Sequence, residues 1–331
     1  GDGPVLGHPA AHLLAEVVLQ KAEGFLCKIL HVTQDRVGSR FHRRAPPAGA
    51  RCGAAVLIAP GPVEGFPGTQ IVHEDPELAV SRVLERLYEE MFPKPVGVSD
   101  LACISDDVVL GEGVGVGPYC VVEPGAQLGE GVTLYPLVYV GRGARIGPRT
   151  VLHPHVTVCD GARIGADCIV HPNAVIGDDG FHYIQRGGRN VQLRHVGGVC
   201  IGDNVVIGGL TSIDRGMISD TVVEDGTVLD KHCHIAHNCL VHENCALAGG
   251  VLLAGSVTLQ RGVIMGGRSA VADHATVGEG ARLGGGTGVM SDLEGGQAYW
   301  GTPARPFGEQ LRIHALQNRL PEMRKQLKQL Q

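Results

Sequence analysis

From Ile104 to Ile176 an aliphatic residue returns at every sixth position, through Leu110, Val116, Val122, Leu128, Leu134, Val140, Ile146, Leu152, Val158, Ile164 and Val170. Six matches neither the 3.6-residue period of a helix nor the two-residue period of an ordinary strand. It predicts a parallel β-helix, in which each hexad forms one flat face and three hexads close a triangular coil. The register resumes at Ile201, Ile207 and Ile213, slips by four residues, and then runs from Val223 through Ile235 and Leu253 to Val289. Between Ile176 and Ile201 the hexads are broken by GDDGFHYIQRGGRNVQLRHVGGVC, which must leave the prism as a surface loop, where ligand contacts tend to sit. Outward apolar positions on the faces and open ends predict oligomerisation and end caps.

Three segments follow. Residues 1–98 read as a small α/β unit, with strands at Ala54–Ala59 and Thr69–Val72 and a helix over Asp75–Met91 that carries Leu78, Val83, Leu84, Leu87 and Met91 at helical spacing. Within it, Ala10–Leu30 is a helix candidate, and Arg43–Ala50 is basic and proline-rich without a clear period, so that 1–50 is atypical. Residues 99–306 are the β-helix. Residues 307–331 form a helical tail whose Leu316, Leu320, Met323, Leu327 and Leu330 alternate by four and three, and Pro321 predicts two short helices, the second beginning there.

Composition narrows the choices. Fifty glycines in 331 residues, with 4% aromatics, suit frequent tight corners rather than a core of rings. A formal charge of −6 gives no electrostatic reason for a nucleic-acid partner. There is no membrane-length apolar run and no leader with a basic start and apolar middle, so a cytoplasmic protein without stable membrane insertion is expected. Cys120, Cys168, Cys233, Cys239 and Cys245 all occupy the fifth place of a hexad, where a small inward side chain belongs, which reads as reduced, structural thiols rather than a metal or disulfide framework. The tail is basic, through Arg312, Arg319, Arg324, Lys325 and Lys328, in an acidic chain. It reads either as a solvated helix face or as a docking surface for an acidic partner.

Candidate chemistry concentrates in DKHCHIAHNCLVH, the densest histidine patch. His237 follows the inward Ile235 by two and so faces outward. One coil later stands Gly255, whose backbone N–H would lie within reach of a carbonyl held beside the imidazole. A base next to an oxyanion donor is the minimum apparatus for acyl transfer. Asp230, seven residues before, is the candidate to orient the base. On spacing alone, a structural histidine explains the pattern equally well. His153 and His171, one coil apart, should stack on the surface with His155 nearby.

The motifs TSIDRG at 211–216, LDKHCHIAHN at 229–238, GGVLLAGS at 249–256, GDDGFHY at 177–183 and YWGTPARP at 299–306, in this order and spacing, resemble the UDP-3-O-acylglucosamine N-acyltransferases of lipid A synthesis. The resemblance runs from about 100 to the end. It implies a homotrimer of left-handed β-helices with sites between subunits. It also implies transfer of a 3-hydroxyacyl chain from acyl carrier protein to the 2-amino group of a UDP-3-O-acylated glucosamine, a lipid precursor. No cofactor and no metal are implied. By the same resemblance His237 is the general base, Asp230 its aspartate, Gly255 the oxyanion glycine and His274 a second active-site histidine. Asp179, Gly180, Phe181, His182 and Tyr183 form a loop that holds the acceptor, with His182 in place of the family's usual glycine, and Asn238 joins the substrate site. The basic tail is then expected to dock the acidic carrier. The family's uracil-stacking stretch is not found between residues 1 and 60, where Phe41 is the one candidate.

Four other readings compete. The related UDP-N-acetylglucosamine O-acyltransferase more often has aspartate where this chain has Asn238. A coenzyme A-dependent sugar acetyltransferase and a γ-class carbonic anhydrase using His153, His155 and His171 are further alternatives. An inactive scaffold is the last.

Overall fold

The computed structural model describes residues 5–6, 29–31, 56–62 and 69–330. The chain divides between Pro93 and Lys94 into two compact units. In the first, strands β1 (Val5–Leu6), β2 (Ile29–His31), β3 (Val56–Ala59) and β4 (Thr69–Val72) form a parallel sheet in the order β1-β4-β3-β2. Helix α1 (Pro76–Met91) starts where the Asp75 carboxylate accepts the Leu78 N–H at 3.0 Å, with proline in the first turn, where its missing N–H costs nothing. Ile58, Ile71 and Ala79 make its small core. The helix candidate Ala10–Leu30 ends in strand β2 rather than helix; the rest of that segment, Phe41 and Arg43–Ala50 lie outside the described residues.

The second unit is the β-helix. Short strands, most of two residues, stack on three faces of 11, 10 and 9 strands, parallel except for the last pair of the first face, where Arg305–Pro306 runs antiparallel to Ala298–Trp300. The first face begins at Gly115–Val116, the second at Cys103–Ile104 and the third at Val109–Leu110. The aliphatic residue of each hexad points inward, and Leu134, Val140, Leu152, Val170, Ile235 and Leu253 are all fully covered. Those side chains stack from coil to coil into one continuous core, the main source of stability in such a fold. The fifth-place residues are also interior, and they do more than fill space. Cys120 Sγ donates to the Tyr135 carbonyl, Cys239 Sγ to Ala254, Thr150 Oγ1 to Gly165 and Thr227 Oγ1 to His242, each reaching a corner carbonyl that lies 15 residues on.

Most corners place one residue at φ near +60°. Gly125, Gly143 and Gly161 supply it at the edge between the second and third faces in the early coils; Asn238, Ser256 and His274 supply it on the same edge further on. Both register breaks fall on this edge, in consecutive coils. The ordinary coil spacing of 18 residues becomes 37 and then 22. The first excursion leaves after Val175–Asp178 and returns at Val199–Ile201, carrying a hairpin of Tyr183–Arg186 and Arg189–Gln192 closed by Gly187 and Gly188, both at positive φ. The second joins Ser212–Asp214 to Thr221–Val223. Arg215 ties them to the prism, donating from Nε to the Gly177 carbonyl at 2.7 Å and from Nη2 to the Asp160 carbonyl at 2.9 Å.

The tail is one helix, α2 (Phe307–Leu330), not the two expected from Pro321. The proline removes a single N–H from an exposed turn, where water can take up the freed carbonyl. Trp300 pins its beginning, stacking on His314 at 5.0 Å and tilted against Phe307 at 6.0 Å.

Candidate active site

His237 belongs to the coil directly after the two excursions, at the edge where they emerge. Its imidazole is held between two glycines from distant segments. A methyl group on Gly255 would lie 2.7 Å from Cε1 and 2.8 Å from Nε2; one on Gly180, in the first excursion, would lie 2.9 Å from Cβ and Cδ2. Real Cβ contacts are never so short, so each position requires glycine for the ring to stay where it is.

The ring's tautomer is set by Asn238. The Asn238 Oδ1 accepts the Met217 N–H at 3.0 Å, and Nδ2 donates to the Ser219 carbonyl at 3.1 Å, so two backbone groups of the second excursion fix which way the amide points. Oδ1 is also 3.1 Å from His237 Nδ1 and can only accept there. Nδ1 therefore carries the proton, and Nε2 is left with its lone pair. Beside it, the Gly255 N–H has no acceptor among the described residues, whereas the equivalent N–H of Arg142 is capped by Asp160 Oδ1 at 2.9 Å. A basic nitrogen and an uncommitted amide hydrogen thus share one recess.

Two more imidazoles line it. His195 and His182 have ring centroids 5.0 and 5.8 Å from that of His237. Asp214, only 5% exposed, is 3.7 Å from His234 Nε2 and accepts from Ser212 Oγ; burial raises its carboxyl above the usual range against the opposing pull of His234. His237 is among the groups that act on that carboxyl, after burial, His234, Ser212 and Asp178.

The residues proposed from sequence separate into groups. His237, Gly255, Gly180, His182 and Asn238 are brought together. Asp179 stands at the rim, 3.3 Å from Arg194 Nη1, and Phe181 and Tyr183 are exposed with their rings 5.0 Å apart. Asp230 is placed differently from the expectation. It follows the first-face strand Val228–Leu229, at the opposite end of the second face from His237, and pairs with Lys231. The backbone N–H of Lys231 is the main reason its carboxyl is held below the usual range. Within one chain the orienting role falls to Asn238 instead. His274 lies two coils along the same edge, exposed, with Nδ1 3.3 Å from Asp273. His195 and Asp214 escape a periodic reading because both belong to the register breaks or their margins, where the period gives no direction to a side chain.

His153 and His171 do stack, at 5.2 Å, continuing from Tyr135 at 4.9 Å. Among the described residues no group of three or more His, Cys, Asp or Glu is placed to hold a metal ion, and no helix is long and apolar enough to cross a membrane.

Residues 143–178 match the bacterial transferase hexapeptide family model of six repeats. A UDP-3-O-acylglucosamine N-acyltransferase of Methylobacterium sp. (strain 4-46) is 34% identical over 137 residues, covering 41% of this chain and 39% of that protein. One from Rhizobium meliloti (strain 1021) is 40% identical over 139 residues, again 41% and 39%. The chain thus spans about two fifths of the curated relatives it matches. Among solved structures, the Arabidopsis UDP-N-acetylglucosamine acyltransferase superposes with a TM-score of 0.58 at 29% identity, over 66% of this chain and 77% of that one. Over the β-helix the chain is similar to hexapeptide-repeat acyltransferases.

Proposed function

We propose that this hexapeptide-repeat acyltransferase moves a 3-hydroxyacyl chain from acyl carrier protein to the 2-amino group of a UDP-3-O-acylglucosamine. The observation that carries the reading is the fixed tautomer of His237, whose bare Nε2 lies against Gly255 beside an N–H with no acceptor among the described residues. A thioester is already activated and needs no covalent intermediate on the protein. As the sugar amine attacks the thioester carbonyl, His237 Nε2 takes its proton. The oxygen that becomes negative is met by the Gly255 N–H, and collapse expels the carrier thiol, which receives the proton from His237.

Outward apolar residues Val228, Leu252 and Ile264, each more than two fifths exposed, support assembly of the β-helices, and we propose a homotrimer. Any part played by Asp230 or His274 at His237 then comes across a subunit boundary. The basic tail is proposed to receive the acidic carrier, and the protein to work in the cytoplasm.

The structural likeness to a UDP-N-acetylglucosamine acyltransferase favours one second reading, O-acylation of that sugar. One assay separates them. The purified protein is given 3-hydroxyacyl carrier protein with either UDP-3-O-acylglucosamine or UDP-N-acetylglucosamine, and products are weighed by mass spectrometry. An amide product only from the amino sugar is expected; an ester from the acetylated sugar would replace the proposal with the second reading.

A further inference from the structure

His195 is 4% exposed, yet neither ring nitrogen has a hydrogen-bond partner among the described residues. The Leu193 carbonyl is near enough to act on the ring electrostatically but not in bonding geometry. Leaving a buried polar group unbonded costs roughly 1–3 kcal/mol, and native proteins keep such a cost chiefly where function recovers it. The ring lies 5.0 Å from His237, and the cover over its Nε2 is thin. That cover is Gly180, on which a Cβ would come within 2.7 Å of the nitrogen. Gly180 belongs to the segment 179–183, whose neighbouring Phe181 is 83% exposed and holds little in place.

We infer that His195 is a hydrogen-bonding residue for the acceptor sugar, uncovered when segment 179–183 shifts, and that it recognises a neutral group next to the reacting amine. The inference rests on the N-acyltransfer reading. Burial first, then the neighbouring His237, hold His195 below the ordinary imidazole range. A neutral imidazole offers one donor and one acceptor, which suits a hydroxyl or an amide and not the diphosphate.

The test compares His195→Leu and His195→Gln in the full chain, reading thermal stability without substrate and the KM and kcat for UDP-3-O-acylglucosamine. Leucine removes an unsatisfied polar group, so the free protein should melt at the same temperature or higher, while KM rises about tenfold or more with kcat little changed. That fold-change corresponds to about 1.4 kcal/mol of lost binding. Glutamine keeps a donor and an acceptor and should recover most of the affinity. A leucine variant with unchanged KM, or one that melts lower and is equally weakened by glutamine, would show a structural histidine and overturn the inference. Absence of turnover in the unaltered protein would instead remove the N-acyltransfer reading, and the inference with it.

Discussion

His237 and Gly255 stand one coil apart on the same prism edge, and the imidazole of the first lies against the bare Cα of the second. The contact exists because parallel strands repeat at about 4.8 Å, so that a residue one coil on can be met by the ring only if it carries no side chain. A methyl group at residue 255 would sit 2.7 Å from His237 Cε1 and force the ring aside. Gly255→Ala is therefore expected to lower kcat by about 10²-fold or more, the scale of a displaced general base, with the melting temperature nearly unchanged because the clash is outside the core. Gly255 is only part of the corner, not at positive φ, so backbone strain is not the cause. A normal kcat in this variant would mean that the ring is free to stand elsewhere.

Removal of the base itself gives the sharper loss. His237→Ala should retain the fold, since the coil is held by the inward Ile235 and the backbone ladder, while turnover falls by about 10²–10⁴-fold. Circular dichroism and sedimentation establish the fold, and the carrier thioester assay the activity. Near-normal turnover would take His237 out of the reaction.

Asn238 acts through its neighbour. With Asn238→Ala the acceptor for His237 Nδ1–H is lost, the second tautomer becomes accessible, and the Met217 N–H and Ser219 carbonyl lose their partner as well. A fall in kcat of about tenfold or more is expected, with little change in KM for the carrier. A change confined to KM for the sugar would make Asn238 a substrate contact instead.

The hexads alone make the β-helix legible. The inward aliphatics, the corner glycines and the one-coil relation of His237 to Gly255 all follow from a period of six and its multiple of 18. The period says nothing where it stops. His195 has no register, because the 37-residue coil places it by loop packing alone. Asp230 is close to His237 along the chain, seven residues away, but seven residues carry a strand across one whole face to the next corner. Pro321 errs in the other direction, since an exposed helix tolerates one missing N–H.

Acid should destabilise the protein in a defined window. His153, His171 and His195 are held below the ordinary imidazole range, by burial in each case first, and for His153 also by His171. The unfolded chain begins to take up protons at these side chains near pH 6.5, while the folded chain does not. Stability thus falls as pH drops through about 6.5, and the loss stops growing once the lower folded values are passed. Asp214, raised by burial, has the opposite sign: its contribution is lost as pH rises from the ordinary carboxylate value through the raised one. Melting temperature followed from pH 7.5 to 5 should decline, and the double variant His153→Gln, His171→Gln should decline less. An identical decline would assign the acid sensitivity elsewhere.

The basic tail allows a test of carrier recognition independent of the chemistry. Arg312, Arg319, Arg324, Lys325 and Lys328 are all exposed on α2. At 100° per residue, Arg312, Arg319 and Arg324 flank the apolar stripe of Leu316, Leu320 and Met323, while Lys325 and Lys328 fall away from it. A stripe packed against another helix would leave Lys325 and Lys328 facing outward, so these two should dominate attraction to an acidic carrier. Reversing them together to glutamate is expected to raise KM for the carrier thioester several-fold at low salt. The difference should shrink as ionic strength approaches 1 M, where the screening length is about 3 Å. Turnover of a small acyl thioester should not change, because the recess at His237 is untouched. Salt-independent carrier kinetics in the unaltered protein would show that charge on this helix does not guide the donor.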